Sequence, residues 1–163
     1  MLKHVSVTYR GPVADSDADV KKRLRAEVKQ ALQDEVVFWH DNILRHHFSY
    51  AAYSRYAGVY APRTKKYEVR KAKKYGHRNP LEFTGRTKRD VMSRITVSGS
   101  AKAARGRMMS ANRALNFGGR GKHDLRAELL AVSAPEMRQM ADRIDERVQK
   151  WLNDESVSKT VTA

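Results

Sequence analysis

The stretch Val20–Ile43, VKKRLRAEVKQALQDEVVFWHDNI, sets Val20, Leu24, Val28, Leu32, Val36, Trp39 and Ile43 at intervals of four or three. That is the period of one face of an α-helix. Ser16 is placed to cap it, and Asp17 and Asp19 fall in a first turn where negative charge suits the helix dipole. The pattern predicts a helix of about 28 residues and about 42 Å. Its end carries His40, His46 and His47 with Asp41 nearby. Their spacing matches no metal-ligand pattern, so they read as surface or helix-C-terminal histidines, the latter a place where positive charge is favoured.

Upstream, His4–Tyr9 alternates apolar and polar residues, the period of a half-buried strand, and Gly11-Pro12 ends it. Downstream, residues 45–62 are rich in Ser, Ala, Gly and Tyr and read as an extended loop or arm. Thr64 caps a short, very basic helix through Tyr75, which Gly76 closes, and Asn79-Pro80 turns the chain. Val91–Ser98 and a second strand at about Arg107–Ser110 read as a hairpin turning at Gly99-Ser100. Residues 116–121 (NFGGRG) form a loop, and Leu125–Val132 reads as a return strand. Ser133-Ala134-Pro135-Glu136 is a capping box for a last helix with Met137, Met140, Ile144, Val148 and Trp151 on one face, ending near Asn153. Trp39 and Trp151 are the expected aromatic anchors.

The order of elements predicts an α+β fold, a single domain over residues 1–153 with a small antiparallel sheet, followed by a flexible tail over 154–163. The length of 163 residues fits one such domain, which buries roughly 70% of its unfolded surface. The chain has no cysteine, which excludes disulfide scaffolds, thiolate metal sites and a cysteine nucleophile. No apolar run exceeds four residues, so no segment reads as a membrane span, and the expectation is a soluble protein made in the cytoplasm.

The formal net charge is +15, from 33 Lys and Arg against 18 Asp and Glu. Residues 55–126 carry 20 basic and 4 acidic side chains, while the flanking segments are nearly balanced. Six of the seven tyrosines, Tyr50, Tyr53, Tyr56, Tyr60, Tyr67 and Tyr75, lie within or beside the start of that region, among Arg55, Arg63, Lys65, Lys66, Arg70, Lys71, Lys73 and Lys74. Such a mixture suits stacking on bases and pairing with phosphates; it equally suits tyrosines that anchor an extended arm against a neighbouring surface while lysines keep it soluble.

Catalytic motifs fail in detail. Gly118-Gly119-Arg120-Gly121-Lys122 evokes a phosphate loop, but Asn116 stands where its first glycine belongs and His123 where a Ser or Thr belongs. The carboxylates of the basic region, Glu68, Glu82, Asp90 and Asp124, are too few to nominate a catalytic pair, and no serine sits on a nucleophile elbow. The reading is therefore non-enzymatic, with no cofactor and no metal.

One segment is more specific. In residues 60–85, YAPRTKKYEVRKAKKYGHRNPLEFTG, an aromatic-x-Pro-Arg-Thr turn leads into a basic helix, a Gly, and then Pro-Leu-x-x-Thr-Gly. The positions are Tyr60, Pro62, Arg63, Thr64, Tyr67, Lys71, Gly76, Pro80, Leu81, Thr84 and Gly85. This pattern resembles the virion-morphogenesis, or tail-completion, proteins of tailed bacteriophages, in which the Thr-Gly opens a β-region. Here Arg86-Thr87-Lys88-Arg89 follows it, where such proteins often carry an apolar residue and a Leu-Arg pair.

The resemblance implies a structural virion protein at the neck or tail end, assembled in the host cytoplasm. It would work as a ring of six or twelve copies that completes the tail and joins it to the head connector. Implied partners are other copies of itself, a head-completion or connector protein, and a tail terminator or tail tube protein, with non-specific contact to DNA passing through the lumen and no membrane. Arg70, Lys73 and Lys74 on the basic helix and Asp142, Asp145 and Glu146 on the last one are the candidate charged interface. The alternative from composition is a basic DNA- or RNA-binding protein that uses the Tyr/Lys/Arg-rich segment 50–78.

Overall fold

A computed structural model describes residues 3–8, 18–82, 84–108 and 124–161, with no account of side chains before residue 18 or beyond 154. The fold is α+β. Strand β1 (Lys3–Thr8) precedes α1 (Ala18–Phe38), a π-helical turn at Trp39–Ile43 and a 3₁₀ turn at Leu44–Phe48. Then come α2 (Ala52–Arg55), α3 (Lys65–Tyr75), α4 (Arg86–Ser93), strands β2 (Ile95–Gly99) and β3 (Ala103–Met108), α5 (Leu125–Leu129) and α6 (Ala134–Val161). Among the described residues the sheet has three strands in the order β1-β3-β2. The expected loop at 116–121, the cap at Ser16 and the strand end at Met109-Ser110 lie outside the described residues.

Contacts group the chain into two compact units: Met1–Lys3, Trp39–Thr96 and Arg107–Ser133 in one, and His4–Phe38, Val97–Gly106 and Ala134–Ala163 in the other. In the second, α1 and α6 pack together. Leu24, Val28, Ala31, Leu32 and Val36 are buried on α1, and Met140, Ile144 and Val148 on α6, as the period of each helix predicts. Arg143 donates through Nε to both carboxylate oxygens of Glu35 at 2.9 and 3.1 Å, and its guanidinium lies 4.0 Å from the Phe38 ring centre. Arg147 reaches Glu27 at 2.5 Å and also pairs with Asp34. Later residues on α6 meet earlier ones on α1, so the two helices run antiparallel. Burial holds the Glu35 carboxyl above its ordinary range, against the opposing pull of Arg143.

The β2-β3 hairpin turns between Gly99 and Ala103, where Ser100 N–H donates to Ala103 O at 2.8 Å. A side chain on Gly99 would sit 2.9 Å from that same carbonyl oxygen, so only glycine lets the strands close there. On β3, Ala104, Gly106 and Met108 are buried and Arg105 and Arg107 exposed, the alternation of a strand with one wet face.

Several expectations are corrected. Residues 45–62 are not an extended arm: they wind through the 3₁₀ turn, α2 and a further turn that closes with Tyr60 N–H on Tyr56 O at 3.2 Å. Leu44, Phe48, Ala52, Tyr56 and Tyr60 recur every fourth residue and are all buried, so the segment is a wall of the core. The Thr84-Gly85 step opens α4 rather than a β-region, because Thr87 and Val91, four apart, both turn inward. The hairpin therefore starts at Ile95 rather than Val91, and its second strand at Ala103 rather than Arg107.

Leu125–Val132 is not a strand. The Asp124 side chain accepts from the Arg126 and Ala127 N–H groups at 2.9 and 3.0 Å and nucleates α5 instead. On α6, Met137 is 54% exposed and Trp151 only partly buried, so Met140, Ile144 and Val148 carry the apolar face, and the helix runs to Val161 instead of stopping near Asn153. His40 and His47 are buried, not on the surface, because the π and 3₁₀ turns aim them into the first unit.

Candidate functional site

The first unit is organised around His47, which is fully buried. The ring of Tyr56 stacks on it at 4.2 Å and 9°, Tyr60 stacks on Tyr56 at 5.6 Å, and Tyr53 meets Tyr60 edge-on at 6.0 Å. Nδ1 of His47 lies 2.9 Å from both the Glu128 carbonyl oxygen and the Tyr60 hydroxyl. A carbonyl can only accept, so Nδ1 carries the proton. The Tyr60 hydroxyl in turn donates to the His47 carbonyl at 3.3 Å. Burial pushes the Tyr60 hydroxyl pKa well up, and that of Tyr53 up to about 12.

Glu128 completes the frame. It is 1% exposed and accepts from Arg63 Nη2 at 2.6 Å and from Ala61 N–H at 3.3 Å, while Arg63 Nη1 donates to Ala61 O at 3.0 Å. A buried carboxylate is tolerated when paired and hydrogen-bonded in this way. The 61–63 turn is thereby fixed to α5, and α3 starts from a fixed point. The side chain of Thr64 accepts from Tyr67 N–H at 3.3 Å as its N-cap, and Gly76, at φ 77°, closes it as a left-handed cap with its N–H on Ala72 O.

Lys71 points inward, buried against the following turn, where its ammonium donates to the Asn79 carbonyl and lies 5.9 Å from the Tyr67 ring centre. Burial, reinforced by Arg63, lowers its pKa. The turn ends on fully buried Pro80 and on Leu81, which is buried with φ 54°. A leucine takes that backbone shape at a cost of about 1–3 kcal/mol, and burial of the side chain offsets it. Asn79 Nδ2 donates to Glu82 at 3.1 Å, and Lys88 stands 4.0 Å from the same carboxylate.

The motif positions of segment 60–85 thus serve mainly as frame. Tyr60, Arg63, Lys71, Pro80 and Leu81 are turned inward, Thr64 and Gly76 cap α3, Tyr67 is half-buried, and Gly85 starts α4 with φ 75°. Pro62 and Thr84 are exposed. What the frame presents is the outer face of α3. Lys65, Lys66, Val69, Arg70, Lys73 and Lys74 are its exposed helical residues, five cations and one valine. None of the five cations has an ion pair among the described residues, and Lys74 alone touches a ring, that of Tyr75 at 5.3 Å.

Asp142, Asp145 and Glu146 are exposed on α6, in the other unit, among exposed Arg138 and Lys150. The two halves of the candidate charged interface therefore belong to different units. Sequence reading missed His47, Tyr56 and Glu128. The signal for Glu128 was a carboxylate abutting the Leu129-Leu130-Ala131-Val132 run, a place where an unpaired charge could not stay. Among the described residues no group of three His, Asp or Glu could hold a metal ion, and no helix is long and apolar enough to cross a membrane. Scans against protein-family models, curated proteins and solved structures found no match for the chain.

Proposed function

We propose that the protein is a non-enzymatic structural subunit of a tailed-phage virion, part of a ring at the head–tail junction that completes the tail and meets the head connector. The observation that carries this reading is the form of segment 60–85. Its motif positions are braced through Arg63-Glu128, Tyr60-His47, the Thr64 and Gly76 caps and Lys71-Asn79, and the segment projects a helix whose outer face makes no ion pair among the described residues. A part that must dock in one orientation within a larger assembly needs such a rigid presenting frame. The buried polar groups His47 and Glu128 are engaged in holding that frame, which supports a structural role over a catalytic one.

Native mass spectrometry of the purified protein, together with pull-down of connector and tail-tube proteins, tests the reading. Closed rings of six or twelve copies, or a stable complex with either partner, are expected. A protein that stays monomeric at high concentration and binds neither partner overturns it.

The second reading, a basic nucleic-acid-binding protein, keeps the cations of segment 50–78 but loses two of its six tyrosines. Tyr56 and Tyr60 are packed on His47 and on each other, so they have no ring face to offer a base.

A further inference from the structure

From the outer face of α3 we infer that this helix is a docking surface for the phosphodiester backbone of duplex DNA, read without regard to sequence. Lys66, Arg70 and Lys74 lie four apart and form one row, and Lys65, Val69 and Lys73 form the row beside it. Five cations along ten residues occupy about 14 Å, or one charge per roughly 3 Å. Each DNA strand places one phosphate per about 3.4 Å of duplex axis, so the helix is of comparable linear charge density.

Three observations favour phosphate over a protein partner. Four of the five cations are lysines, a residue depleted in the cores of protein interfaces, and no aromatic residue or neutral hydrogen-bonding side chain is exposed among them to fix a protein's geometry. None makes an ion pair with an acidic group among the described residues. Self-association, moreover, can pair some of these cations with Asp142, Asp145 and Glu146 of another copy but cannot neutralise the whole. Each added copy brings a further +15, so a ring of copies accumulates positive charge, and neutralisation has to come from an outside polyanion.

The excess is concentrated accordingly. Residues 39–96 and 124–133 of the first unit hold 15 basic against 6 acidic side chains, whereas residues 18–38, 97–106 and 134–161 of the second hold 12 against 10. The inward tyrosines add a further consequence. With Tyr56 and Tyr60 enclosed and Tyr67 and Tyr75 of α3 partly buried, a single strand gains little stacking along this helix, so the preferred form is the duplex.

The inference extends the neck reading, since DNA passes through such a ring, but it stands on α3 by itself. Fluorescence anisotropy of the full chain with two duplexes of unrelated sequence, over a series of NaCl concentrations, tests it. The expected slope of log affinity against log salt is about −4 to −5 and is the same for both sequences. Lys66→Gln/Arg70→Gln/Lys74→Gln should reduce the slope by about 3 and weaken binding roughly a hundredfold or more at 0.1 M salt. Arg138→Gln/Lys150→Gln on α6 should leave both unchanged, and circular dichroism verifies that each variant is folded. No binding at low salt, an unchanged slope in the triple variant, or tighter binding of single strands overturns the inference. So does polyglutamate competing as well as the duplex at equal charge, which would assign the face to an acidic protein. Rings without DNA binding sink this inference alone, and DNA binding by a permanent monomer sinks the ring alone.

Discussion

Arg63 and Lys71 are the two cations of segment 60–85 that face inward, and each holds a turn. Arg63 is the more consequential because its partner, Glu128, pairs with no other charge among the described residues. Arg63→Ala leaves that carboxylate buried with a single backbone N–H at 3.3 Å. The expected loss is about 3–5 kcal/mol of stability in urea unfolding. Arg63→Met/Glu128→Leu, which removes both charges and restores apolar volume, should recover much of it; equal losses in the two variants would show that the pair itself matters little.

Tyr53 gives a pH signature. Its folded pKa is raised to about 12 by burial, while an unfolded tyrosine ionises near 10. The folded state thus holds the proton that the unfolded state releases, so stability falls as pH rises from 10 toward 12. Tyr60 and Tyr67 are shifted in the same direction and add to the fall. Tyr53→Phe should show a shallower decline in melting temperature across that window, and an unaltered decline would remove Tyr53 from the account.

At the scale of elements, α3 depends on its two ends. Gly76 is at φ 77° with open space around it, so Gly76→Ala meets backbone strain without a clash, and a loss of about 1–2 kcal/mol is expected. Thr64→Ala removes the N-cap and should lose about 1 kcal/mol. Thermal unfolding with correctly folded variants measures both. These caps were legible because the residues that make them are nearly specific to the job. The face of α1 was legible because its apolar residues are unambiguous.

The 45–62 segment was not legible, although Leu44, Phe48, Ala52, Tyr56 and Tyr60 keep a strict interval of four. Two of the five are tyrosines, which sequence reading weighed as contacts for an outside partner rather than as core. The companion that makes them core, Glu128 with His47, lies 81 residues along the chain from that histidine. Val91 and Leu125–Val132 misled for a related reason. Apolar, partly β-branched runs satisfy a strand or one turn of buried helix equally well, and the deciding groups were Gly85 and the Asp124 cap.

For the whole molecule, the main electrostatic fact is an uncompensated +15. Self-repulsion of that size opposes the compact state and is screened by salt. The melting temperature should therefore rise between about 0.05 and 0.5 M NaCl, when the Debye length contracts from beyond 10 Å to a few ångströms. A fall would mean that the Arg143-Glu35 and Arg147-Glu27 pairs outweigh the net charge.

The division of α3 into an inner set that holds the fold and an outer set with no ion pair among the described residues has an evolutionary meaning. Substitutions at Lys65, Lys66, Val69, Arg70, Lys73 or Lys74 change what the helix meets while the caps, the Lys71 anchor and the Arg63 pair keep it in place. A lineage can exchange partners through six side chains without reinventing the protein, so chains alike in frame can serve different assemblies, and chains unlike on this face can still share one ancestor.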